Sequence, residues 1–125
     1  VTYEDPGDAE EVAAMIIVSV RDLMFRSKIQ EAAARLGVAT RFVPRSATIE
    51  QAVTETGGGT VIVDLTQPGI LEEIRAVRRT ASPHVVGFLG HLQSELMQEA
   101  SAAGVDEVLA RGEFVKRIEE VLLRG

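Results

Sequence analysis

Cysteine is absent from the 125 residues, which excludes disulfides, thiolate nucleophiles and cysteine-held metals. Imidazole is scarce as well. Only His84 and His91 carry it, and neither stands in the Glu-x-x-His type of spacing a metal site uses, so no metal ligands are expected from them. No apolar run approaches the roughly 18 residues of a membrane span, and the N-terminus lacks the basic-then-apolar order of a signal peptide. The expectation is a cytoplasmic protein with no membrane partner. A basic excess is missing too: the net charge is −6. Five of the 19 acids fall in residues 1–14, which hold no Lys or Arg, so the rest of the chain carries 14 acids against 13 bases. That balance gives no support for a nucleic-acid partner.

What remains is an ordinary globular composition, 46% hydrophobic and 26% charged, with length enough for one domain and its own core. Residues 1–14 show no apolar periodicity and read as an acidic leader or extension, leaving 15–125 as a single domain. Met15 to Val20 is a short, nearly all-apolar strand followed by a loop, Arg21 to Met24. Phe25, Ile29, Ala33 and Leu36 then mark one face of a helix that Gly37 ends. Thr40 to Pro44 reads as an edge strand. Thr48 and Gln51 make a capping box for a second helix that stops at Gly57-Gly58-Gly59. That glycine run precedes a strand and lacks a following Lys-Ser/Thr, so it is a helix stop and not a phosphate loop.

The central feature is Thr60-Val61-Ile62-Val63-Asp64, a β-branched strand with a carboxylate at its C-terminal end. After Pro68-Gly69 a third helix shows the stripe Ile70, Ile74 and Val77. His84 to Leu89 is a fourth strand, Leu92, Leu96, Ala100 and Ala103 face a fourth helix, and Glu107 to Ala110 is a fifth strand. Phe114, Val115, Ile118, Val121 and Leu122 line a last helix. Five strands alternating with five helices predict a doubly wound parallel sheet, and of the two common orders the size favours the flavodoxin-like 2-1-3-4-5. That order brings Val20-Arg21-Asp22, Asp64-Leu65-Thr66, Phe88-Leu89-Gly90 and Arg111-Gly112 to one edge. His91 lies in a loop beside that edge and reads as a turn residue, and Ser19 has no His–acid partners that would make it a hydrolase nucleophile.

Two segments carry a resemblance to a known family. Val61-Ile62-Val63-Asp64-Leu65-Thr66-Gln67-Pro68-Gly69 is similar to the phospho-acceptor strand of two-component response-regulator receiver domains, and Ala102-Ala103-Gly104-Val105-Asp106-Glu107-Val108-Leu109 to their Ala-Gly-Ala-Asp-x-Tyr-Leu segment. Phe25-Arg26-Ser27-Lys28-Ile29 to Leu36-Gly37 resembles their first helix. The resemblance covers nearly all of 15–125. It implies Asp64 as candidate phospho-acceptor, with Thr66 beside it through its backbone. It also shows losses. Val20 and Arg21 stand where the family's acidic pair holds Mg²⁺, so no cofactor is expected. Phe88 or Leu89 replaces the switching hydroxyl, Arg111 the Lys of the last loop, Gly112 the following Pro, and Val108 an aromatic.

The chain therefore resembles a degenerate, or pseudo-receiver, member: a non-enzymatic signalling module working by protein–protein contact in a phosphorelay pathway. Its partner would be a histidine kinase or an output protein, met through the last two helices and fifth strand, with a homodimer as a further option. Arg21 and Arg111 are candidate binding residues, expected to form an Arg–carboxylate lock on Asp64 in place of the metal. Two alternatives stand beside this reading: an atypical receiver still phosphorylated on Asp64, and a small-ligand or nucleotide pocket at the same strand ends.

Overall fold

A computed structural model describes residues 15–90 and 94–124. The acidic leader, His91 and Leu92 lie outside the described residues. Among the described residues five strands and six helices follow in the order β1 (Ile16–Ser19), α1 (Leu23–Leu36), β2 (Thr40–Phe42), α2 (Ile49–Thr56), β3 (Thr60–Asp64), α3 (Ile70–Thr80), β4 (His84–Leu89), α4 (Ser94–Ala103), β5 (Glu107–Ala110), α5 (Arg111–Lys116) and α6 (Ile118–Arg124). All strand pairs are parallel and the order is β2-β1-β3-β4-β5. This is the doubly wound order expected from the alternation of elements and the size of the domain.

The period of a strand, in which successive side chains point to opposite faces, divides the core in two. Ile17, Val61, Val63, Val85 and Leu89 pack under α2, α3 and α4. On the other face Ile16, Val18, Val20, Ile62, Val86 and Phe88 pack under α1, α5 and α6. β3 is buried along its whole length because both its edges and both its faces are covered. Gly87 in β4 fits closely: a Cβ there would lie 2.7 Å from Leu65 Cγ, so the smallest residue makes room for the leucine that follows Asp64.

Local chemistry sets the helix ends. Thr48 and Gln51 exchange the two bonds of a capping box at α2, Gln51 N to Thr48 Oγ1 at 3.1 Å and Thr48 N to Gln51 Oε1 at 2.8 Å. Gly37 closes α1 at φ 70°, a left-handed backbone that glycine adopts without steric cost. The α3 stripe of Ile70, Ile74 and Val77 is buried as its periodicity requires.

Three boundaries differ from expectation. Leu23 and Met24 belong to α1 and not to a loop, because Asp22 caps the helix: its Oδ1 accepts from Met24 N at 2.9 Å and Phe25 N at 3.2 Å. β2 ends at Phe42; Val43 N still donates to Val18 O at 2.9 Å, and Pro44, without an N–H, stops the ladder. The last helical stretch breaks at Arg117 (φ −109°, ψ 15°), where one N–H is shared between Glu113 O and Phe114 O, making two helices of one.

One charged side chain of α3, next to the buried stripe, has a structural position. Arg78 donates from Nε and Nη2 to Gly104 O at 2.9 and 2.5 Å, from Nη1 to Pro83 O at 2.6 Å and from Nη2 to Asp106 Oδ2 at 2.5 Å. It ties α3 to the turns on either side of β4 and α4. Asp106 Oδ2 also accepts from Val85 N at 2.7 Å, so one carboxylate serves two elements.

Candidate functional site

The register places Asp64 beside Phe88 of β4. Ser19 pairs with Val63, so Val20, the next residue, continues alongside Asp64. Strand alternation then points Val20, Asp64 and Phe88 to the same face, in one row at the carboxyl ends of the three central strands. Asp64 is 6% exposed, Val20 2% and Phe88 1%. A carboxylate therefore stands between two buried apolar neighbours.

Burial of that carboxylate requires hydrogen-bond donors. Asp64 Oδ1 accepts from Thr66 N at 2.9 Å and from Thr66 Oγ1 at 2.7 Å. The bond to the amide two residues on is a local Asx-type turn, which shapes the loop leaving β3. Thr66 thus contacts Asp64 through its hydroxyl as well as its backbone. Gln67 adds a brace that sequence reasoning missed. Its Nε2 donates to Ser19 O at 2.8 Å and Asp64 O at 3.0 Å, stitching the ends of β1 and β3. A polar residue three positions after the strand-end acid was its only sequence signal.

The two arginines go elsewhere. Arg21 Nη1 donates to Val43 O at 3.0 Å, across the gap between β1 and the end of β2. Arg111 lies with Cζ 5.1 Å from the Phe25 ring centroid, and its Nε is buried without a hydrogen-bond partner. Among the described residues no cationic side chain comes within 4.0 Å of Asp64. The expected Arg–carboxylate lock is therefore not formed. The physical reason is competition: Arg21 is drawn to a nearby backbone carbonyl and Arg111 to an aromatic face, which turns both guanidiniums from the carboxylate.

Beside the row lies a second missed feature. Phe25 from α1, Phe88 from β4 and Phe114 from α5 stack on one another, with centroids 5.1 Å apart for Phe25–Phe88, 4.7 Å for Phe88–Phe114 and 6.2 Å for Phe25–Phe114. The interplanar angles are 26°, 19° and 11°. Arg111 covers the Phe25 ring, so cation and rings form one continuous pile. Among the described residues there is no cluster of three or more His, Asp or Glu able to hold a metal ion, and no helix is long and apolar enough to cross a membrane.

No family model matches the sequence, and no curated protein matches it. Solved structures do match. The chain is similar to the chemotaxis protein CheY4 of Vibrio cholerae, with TM-score 0.77 and 15% identity over 90% of this chain and 98% of that one. It is similar to the signal receiver domain of NarL from Mycobacterium tuberculosis, with TM-score 0.74 and 17% identity over 90% and 94% of the two chains. A LuxR-family two-component response regulator from Aurantimonas gives TM-score 0.69 and 23% identity over 88% and 85%. At these identities the likeness is one of architecture, and it establishes that this chain has the flavodoxin-like fold of response-regulator receiver domains.

Proposed function

We propose that this domain is a receiver-like signalling module that acts through protein contacts and not through Mg²⁺-dependent phosphorylation of Asp64. The supporting observation is the row itself. Magnesium requires hard oxygen ligands in a near-octahedral array, and beside Asp64 the row offers the methyls of Val20 and the ring of Phe88. Asp22, the neighbouring acid, spends an oxygen on the N-terminus of α1. This donor set does not suit the metal, so no step is routed through one. The same row carries no hydroxyl at Phe88 with which to sense a phosphoryl group.

Signalling in this reading leaves through the surface of α4, β5, α5 and α6, and the partner is another signalling protein, a histidine kinase or an output protein. Arg117 there pairs with Glu107, Glu113 and Glu120, and Arg124 with Glu107. Among the described residues Leu123 is the one large apolar side chain exposed on this surface. An ion-pair lattice of this kind favours a charged partner over a homodimer driven by apolar burial.

The test is intact-protein mass spectrometry after incubation with a small phosphodonor such as acetyl phosphate, with and without Mg²⁺, for the natural chain and Asp64→Asn. The proposal expects no phosphate adduct under either condition. An adduct that Asp64→Asn abolishes would make the domain a working receiver with an altered site.

A further inference from the structure

The arginines of this domain divide by their company. Arg35, Arg41, Arg75, Arg78, Arg117 and Arg124 each pair with an acid. Arg21, Arg26 and Arg45 pair with none among the described residues, and these three line the same cavity. Arg79 and Arg111 also lack an acid, but neither faces that space. The cavity has a volume of about 630 Å³ and is completed by Leu23, Val43 and Pro44. No acid lines it. The sequence neighbour Asp22 turns Oδ1 to the amides of Met24 and Phe25.

Other described hollows differ in charge. One mixes Lys28, Arg35 and Lys116 with Glu31 and Glu119. Another sets Arg41 against Glu55, and a third, along Gly57 to Gly59, holds no charge. Among the described hollows, the one between the start of α1 and the loop after β2 is thus lined by positive charge without a described acid.

Two of its guanidiniums are oriented by contacts that leave their charge unmatched. Arg21 gives one N–H to Val43 O at 3.0 Å, and Arg26 lies with Cζ 5.2 Å from the Phe42 ring centroid. Each keeps further N–H donors for a ligand. A planar guanidinium fork matches phosphate oxygens in two parallel bonds, and holding the fork in place reduces the entropy lost on binding. The location is beyond the carboxyl ends of β1 and β2, the side of an open α/β sheet where ligands bind. The volume falls within the range of small-molecule sites, roughly 300–1,000 Å³.

We propose that this cavity binds a small phosphorylated ligand carrying two or more phosphate charges, with Arg21, Arg26 and Arg45 on the phosphates and Leu23 and Pro44 against its apolar part. Three neighbouring cations call for a polyanion, since a single negative charge would leave two of them mutually repelling. A concave space of this size suits a compact ligand better than an extended acidic peptide. The site does not include Asp64, so it stands or falls separately from the signalling role proposed above.

Isothermal titration of the full chain with pyrophosphate, ADP and a glutamate-rich peptide tests it, with Arg45→Ala and Arg26→Lys as variants and circular dichroism as the check on folding. Arg45 is exposed and holds no other residue, so its removal leaves the fold intact. Pyrophosphate and ADP should both bind with Kd below about 1 mM at roughly 50 mM salt, and weaken several-fold at roughly 300 mM as the charges are screened. Arg45→Ala should weaken both by about 5- to 30-fold, and Arg26→Lys, which keeps the charge but loses the fork, by a similar factor. Absence of binding by either phosphate compound up to about 10 mM overturns the proposal. So does binding that both folded variants leave unchanged, or binding of the peptide alone, which would assign the cavity to an acidic protein segment.

Discussion

Replacing Phe88 by alanine tests whether the apolar closure of the Asp64 row is structural. Phe88 is 1% exposed, and its ring contacts two others, at 4.7 Å from Phe114 and 5.1 Å from Phe25. Deleting a buried phenyl ring costs about 3–5 kcal/mol through lost transfer energy and the cavity left behind. Each stacked pair carries about 0.5–1.5 kcal/mol beyond area burial, which places this site in the upper half of that range. A domain of this size would then melt roughly 12–25 °C lower, from a total stability that for most domains is about 5–15 kcal/mol. Equilibrium urea unfolding followed by circular dichroism measures the change, with an unaltered m-value showing that the two-state comparison holds. Phe88→Leu, which retains most of the volume, should lose less than half as much. A loss under about 1.5 kcal/mol for Phe88→Ala would refute the reasoning, because no fully packed phenyl ring is that cheap to remove.

Two other perturbations follow from named contacts. Arg78→Met should cost about 2–4 kcal/mol in urea unfolding, because it strips donors from Gly104 O, Pro83 O and Asp106 Oδ2 in a part-buried position, whereas Arg75→Ala, which breaks an exposed pair with Glu72, should cost under about 0.5 kcal/mol. At the outer edge of the sheet the Arg124 hydrogen bond holds the Glu107 carboxyl below its ordinary value of 4.5, helped by the charges of Arg124, Arg117 and His84 and opposed by burial. A carboxyl whose folded value is depressed contributes stability that is fully present above its unfolded value and is lost as pH falls through the folded one. The natural chain should therefore be more stable than Glu107→Gln at pH 7, and the difference should shrink as pH falls through the lowered value, as thermal melts across the acid range will show; a difference constant with pH would contradict the pairing.

The elements legible in the sequence were those whose signals are local. β3 is a run of four β-branched residues closed by Asp64, and all five are buried. The α3 stripe and the capping box at Thr48 and Gln51 needed no knowledge of the rest of the chain. Alternation indicated a doubly wound parallel sheet and the size of the domain its order, and with it the arrival of Val20, Asp64 and Phe88 at one edge. What the sequence could not disclose was where long side chains end. Arg21 stands one residue past Val20, yet its guanidinium reaches a carbonyl on Val43, a partner set by how the chain leaves β2. Arg111 had the same freedom and took the face of Phe25. The aromatic pile is an intermediate case. Phe25, Phe88 and Phe114 are far apart in sequence, but the expected topology already placed the start of α1, the end of β4 and the start of α5 together. The substitution at Phe88 was read as a lost hydroxyl, and the gain of a ring was overlooked.

That gain bears on why several departures from the receiver pattern occur together. A hydroxyl-sized residue at position 88 would leave Phe25 and Phe114 facing a void, and a carboxylate at position 20 would be buried against the rings without a cation to pair it. Val20→Asp should therefore destabilise the fold by about 3 kcal/mol or more, since an uncompensated charge is among the costliest groups to bury. Phe88→Thr should cost nearly as much as Phe88→Ala. If both losses are found, and if the double variant loses less than their sum, the site is one packing solution in which each apolar residue makes its neighbours permissible. Strict additivity between the two would instead mean that Val20 and Phe88 act independently, because residues that share a packed neighbour, as these two flank Asp64, ordinarily couple by about 0.5–3 kcal/mol.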